Sequence, residues 1–199
     1  MIDCERRDVM ERSCRYFEKP GPENTRAVLQ RVSERVREGH IAAVVVPSCG
    51  GGTALEALDV LGPGPPRLVV VTHMAGFSKP NVQEMPAETR KTLEEKGVSV
   101  FTGQHAFGGV GRGIRNKLAT YQVDEIMAST LRIFGQGTKV AVEIALMAAD
   151  AGLLRTDEDC VSMGGTEEGV DTALVLRPAN SCRFFDLRVR EVLCKPLRF

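Results

Sequence analysis

A chain of 199 residues, 43% of them hydrophobic, has the size and composition of one globular domain with a buried core. Its 26 Lys and Arg balance its 26 Asp and Glu, which leaves no electrostatic footprint for nucleic acid or an anionic membrane. No stretch nears the ~20 apolar residues that span a bilayer, and the charged start Met1-Ile-Asp-Cys-Glu-Arg-Arg-Asp is no signal peptide, so a cytoplasmic protein is expected.

Residues 1–12 read as a polar arm and 13–199 as a single α/β domain. A short strand fits 13–18. Pro22 suits the first turn of a helix, Glu23 complements its dipole, and Thr25, Leu29, Val32 and Val36 recur at helical spacing up to Gly39. The continuous β-branched run 41–46 predicts a strand buried on both faces. A helix follows over 53–61, closed by Gly62-Pro63-Gly64-Pro65-Pro66. The unit then repeats: strand 67–72, a long connection 73–86, helix 87–96 and strand 98–101. This order predicts parallel strands with helices on both faces. Further on, 103–113 is rich in glycine and 114–118 opens a helix, with Arg112, Arg115 and Lys117 as a solvated face. Val123, Ile126, Met127, Thr130, Leu131 and Phe134 mark an amphipathic helix ending at Gly135. The apolar run 138–151 alternates enough for a strand, but its length and alanine content favour a buried helix. Strands are expected at 160–163, 172–176 and 188–194.

Ligands of parallel sheets sit beyond the carboxyl ends of the strands. Three loops gather there: 48–53, 72–77 and 102–107. In the first, Ser48 and Thr53 supply hydroxyls, and Gly50, Gly51 and Gly52 let backbone N–H groups approach a ligand at the start of a helix. This predicts a phosphorylated small molecule as partner. No Walker lysine and no G-x-G-x-x-G between strand and helix accompany the loop, which disfavours nucleotide hydrolysis and dinucleotide binding. A tight turn whose glycines only serve packing is the plainer alternative.

The stretch 163–172 is a second candidate, with Gly164 and Gly165 for an anion nest, Thr166 for a hydroxyl, and Asp171 and Thr172 at its end. Glu167 and Glu168 argue against a phosphate lying over its tip. His73 and His105 each follow a strand end and suit acid–base work or loop positioning, and Phe77 and Phe107 in the same loops suit a flat ring or the core. His40 reads as a helix-end or surface residue. Glu143, inside an apolar run, is expected to pair with Lys139 one helical turn away; Asp150 is expected to be solvated. The six cysteines show no metal-ligand spacing, so no metal site is expected and the thiols are expected to be reduced. Cys49 alone lies in the first loop, where a helix N-terminus lowers a thiol pKa; a small residue tolerated in a turn is the plainer reading. No catalytic set stands out.

The motif Ala43-Val-Val-Val-Pro-Ser-Cys-Gly-Gly-Gly-Thr-Ala-Leu, followed by Pro66-Arg-Leu-Val-Val-Val-Thr72, resembles the carboxy-terminal domain of pyruvate kinase, where a similar loop binds a sugar-bisphosphate effector. The chain is more similar still to a small family of stand-alone, often archaeal proteins of that fold. Tyr16-Phe-Glu-Lys-Pro-Gly-Pro-Glu-Asn-Thr25, Val142-Glu-Ile, Met147-Ala-Ala-Asp150, Gly169-Val-Asp-Thr-Ala173 and Phe184-Phe-Asp186 carry that similarity, over about residues 14–196. The resemblance implies a three-layer α/β/α sandwich with a mixed, mostly parallel sheet. It also implies flavin mononucleotide (FMN) as ligand. Carried over, the phosphate would sit on Ser48, Cys49, Gly50, Gly51, Gly52 and Thr53, the ribityl and ring region near Thr72, His73, Gly76, Phe77 and His105, and the closing hairpin at Gly164, Gly165, Thr166, Asp171 and Thr172. At Cys49-Gly50-Gly51 the kinase loop often carries a basic or bulkier residue, so this cradle has less cationic charge for a bisphosphate. The chain has no room for the kinase's catalytic barrel, and pyruvate kinase activity is not expected. The expected role is a sensor, carrier or regulatory protein; a flavin-dependent oxidoreductase is the alternative, and homo-oligomer contact stays open.

Overall fold

The computed structural model of the chain describes residues 9–62 and 66–199. Its strands are β1 (Arg15–Phe17), β2 (Ala43–Pro47), β3 (Arg67–Thr72), β4 (Ser99–Thr102), β5 (Cys160–Gly164), β6 (Thr172–Arg177) and β7 (Arg188–Pro196). Its α-helices are α1 (Thr25–Arg37), α2 (Gly52–Leu61), α3 (Ala87–Glu95), α4 (Val110–Leu118), α5 (Val123–Arg132) and α6 (Gln136–Asp150). The strands form one seven-stranded sheet in the order β1-β7-β6-β5-β2-β3-β4. Every pairing is parallel except the two made by β6. The expected mixed, mostly parallel α/β sheet is therefore present.

Period-two alternation divides the core. Val44 and Val46 of β2 pack with Val28, Leu29 and Val32 of α1, Ala54 and Ala57 of α2, and Leu93 of α3. Ala43 and Val45 point the other way, against Ala128 of α5 and the apolar run of α6. Helices thus cover both faces and make three layers. Each side chain fully buried in these clusters, Val44, Val45, Val46 and Leu29 among them, contributes about 1.5–3 kcal/mol relative to exposure.

The expected elements of 13–101 are in place within a few residues of their ends. Most of the expected arm, 1–8, lies outside the described residues, as do the stop residues 63–65. Arg12 donates to Glu38 at 2.5 Å, so the stretch before β1 is tied to the end of α1. A 3-10 turn (Pro22–Asn24) precedes α1, as the proline at its start favours. The run 138–150 is helical, not a strand, and almost wholly buried, with Ala151 in the turn that follows. Two expectations need correction. The fourth helix begins at Val110, inside the glycine-rich stretch, because the backbone at Gly111 packs against the Asp124 side chain and tertiary contact outweighs the low propensity of glycine. Its basic face is not simply solvated either: Arg115 pairs with Glu125 at 3.0 Å, and the Arg112 guanidinium lies 5.1 Å from the Phe77 ring centroid.

The path of the chain creates a crevice. From β2 it moves outward to β3 and β4 with α2 and α3 on one face, then returns through α6 on the other face to β5, on the opposite side of β2. Strand order therefore reverses between β2 and β5, the topological switch point where ligands of such sheets bind.

Candidate functional site

A cleft of about 660 Å³ opens at that switch point. One wall is Pro47, Ser48, Cys49, Gly50, Gly52, Thr53 and Glu56, from the end of β2 and the start of α2. The facing wall is 165–169, from the end of β5. Pro22, Thr25, His73, Gln136 and Val140 complete it. Its volume falls in the range of small-molecule sites, about 300–1,000 Å³.

Three helices begin on this cleft: α1 at Thr25, α2 at Gly52 and α6 at Gln136. The first N–H groups of α2 and α6 have no acceptor within their own helix, whereas the Thr25 N–H of α1 is taken by the Pro22 carbonyl of the preceding 3-10 turn; each helix end carries part of a positive charge. Some of these donors are already used. Ser48 Oγ accepts the Ala54 N–H at 3.2 Å, so Ser48 caps α2 from below, and its own hydroxyl proton has no acceptor among the described residues. Thr25 Oγ1 accepts the Val170 N–H at 3.1 Å, tying the far wall to α1. The N–H groups of Gly52 and Thr53 at the mouth of α2 have no acceptor in their helix.

The glycines of the first loop differ among themselves. Gly51 has φ +96° and is closed in by Thr89, so it serves the turn itself. Gly50 and Gly52 meet nothing within 4 Å where a Cβ would stand. Their backbone faces open space at the cleft.

Among the described residues no Lys or Arg lines the cleft, whereas the carboxylates Glu56, Glu167 and Glu168 do. An anion placed here would meet backbone dipoles and hydroxyls, and a polyol would meet carboxylates. The buried Lys139 pairs with Glu143, as expected, and burial lowers the lysine's pKa. The same Glu143 accepts the Phe107 N–H at 2.9 Å, which locks the loop after β4 onto α6. Phe107 is thereby a core residue, edge-on to Phe184. Asp150 is not merely solvated: it accepts the Ser181 N–H at 2.9 Å.

Behind His73 lies a cluster of rings. His73 and Phe77 have centroids 4.0 Å apart, and His105 lies 5.3 Å from His73 and 5.2 Å from Phe77. Burial pushes the His105 pKa down to about 4, so this ring is neutral at pH 7. The connection 73–86 is pinned from within. Gln83 Nε2 shares its two protons among Thr72 Oγ1, the His73 carbonyl and Thr102 Oγ1, at 3.1–3.2 Å. Glu84 Oε2 lies 2.6 Å from His73 Nδ1. Burial pushes the Cys49 thiol up to about 11, against the lowering that a helix N-terminus alone would give.

Of the residues expected at the site, Ser48, Cys49, Gly50, Gly52, Thr53, His73, Gly165 and Thr166 line the cleft. Gly51 sits under its floor. Thr72 is buried, its hydroxyl shared among Thr102, Gln83 and the His73 carbonyl. Phe77 and His105 reach the cleft only through His73, and Gly76, with φ +84°, shapes their loop. Asp171 accepts the Thr166 and Thr172 hydroxyls at 2.7 and 2.8 Å, so these residues, with Gly164, brace the second wall from inside. Sequence reasoning missed Thr25, Glu56, Gln136 and Val140, which reach the cleft from helix starts, and Glu84, set in a loop with no periodic pattern. His40 is exposed and has φ +63° at the turn after α1, away from the cleft. No helix among the described residues is long and apolar enough to cross a membrane. No protein-family model matches the chain.

Proposed function

We propose that this chain is a stand-alone protein of the pyruvate kinase C-terminal-domain type that binds a singly phosphorylated small molecule, FMN by preference, as a sensor, carrier or regulatory protein. The observation that carries the reading is the convergence of three helix starts on a cleft at the switch point of the sheet. A lone phosphate suits backbone donors at Gly52 and Thr53 with hydroxyls from Ser48 and Thr53. A bisphosphate would meet Glu56, Glu167 and Glu168, with no Lys or Arg among the described wall residues. Those carboxylates suit the hydroxyls of a ribityl chain. The His73–Phe77–His105 cluster, with a neutral His105, suits a flat uncharged ring.

Titration with FMN and with riboflavin, followed by flavin fluorescence, tests this. FMN is expected to bind at least ~10-fold more tightly than riboflavin, since charge-assisted hydrogen bonds are worth about 1.5–3 kcal/mol. The double variant Ser48→Ala/Thr53→Ala is expected to lose most of that difference. Equal affinity for the two flavins, or no FMN binding at millimolar concentration, would overturn the proposal.

A further inference from the structure

We propose that Cys49, His73 and Glu84 form a mononuclear site for a zinc-class divalent transition metal, with its open coordination position facing the cleft. The three residues come from separate places: the loop after β2, the end of β3 and the connection to α3. Their donor atoms (the thiol sulfur, a ring nitrogen and a carboxylate oxygen) all lie within 4.8 Å of one another. All three side chains are half-buried. Cys49 and His73 line the cleft, while Glu84 stands behind them.

The donor set selects the metal. A sulfur, a nitrogen and an oxygen suit zinc and its neighbours, whereas calcium and magnesium take oxygens. Zinc held by three protein ligands keeps a fourth position for water or a ligand atom, and two of the three ligands, Cys49 and His73, line the cleft. Donors on a tetrahedral zinc, with bonds of about 2.0–2.1 Å, stand about 3.3 Å apart. The His73–Glu84 contact of 2.6 Å therefore opens by less than ~1 Å to admit the ion. The surroundings already restrain the ligands. The His73 carbonyl is held by Thr72 Oγ1 at 2.8 Å and Gln83 Nε2 at 3.1 Å, so the ligand's backbone is fixed in advance of the metal. Binding releases the thiol proton, and affinity therefore rises with pH.

Divalent cobalt is the probe, added to full-length, chelator-treated protein without any flavin, with zinc as competitor. About one equivalent per chain is expected, with a sulfur-to-cobalt charge-transfer band that zinc abolishes. Cys49→Ser is expected to remove the band, and Glu84→Gln to weaken binding ~10-fold or more. Cys182→Ser, at an exposed thiol far along the chain, is expected to change neither. Circular dichroism and a thermal melt of the variants check that each still folds. A band that survives Cys49→Ser in folded protein would overturn the site, as would a wild type that takes up no cobalt. Because no flavin is present, either failure leaves the FMN proposal standing.

Discussion

The two loops that face each other across the cleft use glycine in opposite ways. In the loop after β2, Gly50 and Gly52 have open space where a side chain would stand, and only Gly51 is closed in by a neighbour. On the opposite side, a Cβ on Gly164, the last residue of β5, would collide with the Gly137 carbonyl at the start of α6, and one on Gly165, in the loop that follows, with the Gly169 carbonyl. The second loop is also closed by its own polar network, in which Asp171 accepts two hydroxyls and its N–H donates to the Gly164 carbonyl at 2.9 Å. One wall presents free backbone to the cleft; the other spends its glycines on backbone-to-backbone packing. Two glycine-rich stretches thus differ in use, one leaving its backbone open and the other packed as a brace.

The strongest way to break that contrast is Gly164→Ala. The obstacle is backbone, which cannot swing aside like a side chain, so the loss is expected to be about 3 kcal/mol in urea unfolding. A loss below ~1 kcal/mol would mean that α6 and β5 are not pressed together as described. Asp171→Ala comes next, at about 2 kcal/mol, because the fully buried Thr172 hydroxyl loses its acceptor. Asp171→Asn keeps an acceptor oxygen and is expected to recover about half of that. On the opposite wall, Ser48→Ala removes the cap on the Ala54 N–H and is expected to cost only about 1 kcal/mol. If Ser48→Ala destabilised the protein more than Asp171→Ala, the brace would lie on the β2 side instead.

The two walls also differ in how far their residues betray their roles in the bare sequence. The strands β2 and β3 are legible there because a parallel strand buried on both faces must be a continuous apolar run, as Val44–Val46 and Leu68–Val71 are. The loop at Ser48 is legible because a strand, a glycine run and a helix start follow one another directly in the chain. The pairing of Lys139 with Glu143 is legible because helical spacing places them on one face. Periodicity carries no information about which loops meet. Gln136 and Val140 look like any start of a buried helix until the return path through α6 sets them on the cleft. Glu84 reaches His73 across a connection with no repeating pattern, and Cys49 meets both only because β2 and β3 are neighbours. The roles of Gly51 and Gly164 as packing residues are equally hidden, since a glycine has the same letter whether a ligand or a carbonyl fills its missing side chain.

Gly52→Ala carries the smallest expected change in stability and separates the two walls most cleanly. Gly52 is the first residue of α2, its φ is not positive, and nothing occupies the place of a Cβ. Alanine there favours the helix and narrows the unfolded ensemble, so the free protein is expected to gain about 0.5 kcal/mol. Under the proposed function, the open position at Gly52 lets a phosphate reach the N–H groups at the mouth of the helix. The variant is therefore expected to bind FMN more weakly while unfolding at slightly higher urea, a split that packing alone does not produce. Unchanged FMN affinity in a stabilised Gly52→Ala protein would put the open glycines of the first loop on the same footing as solvent-exposed glycine anywhere, and would move the ligand's phosphate away from α2.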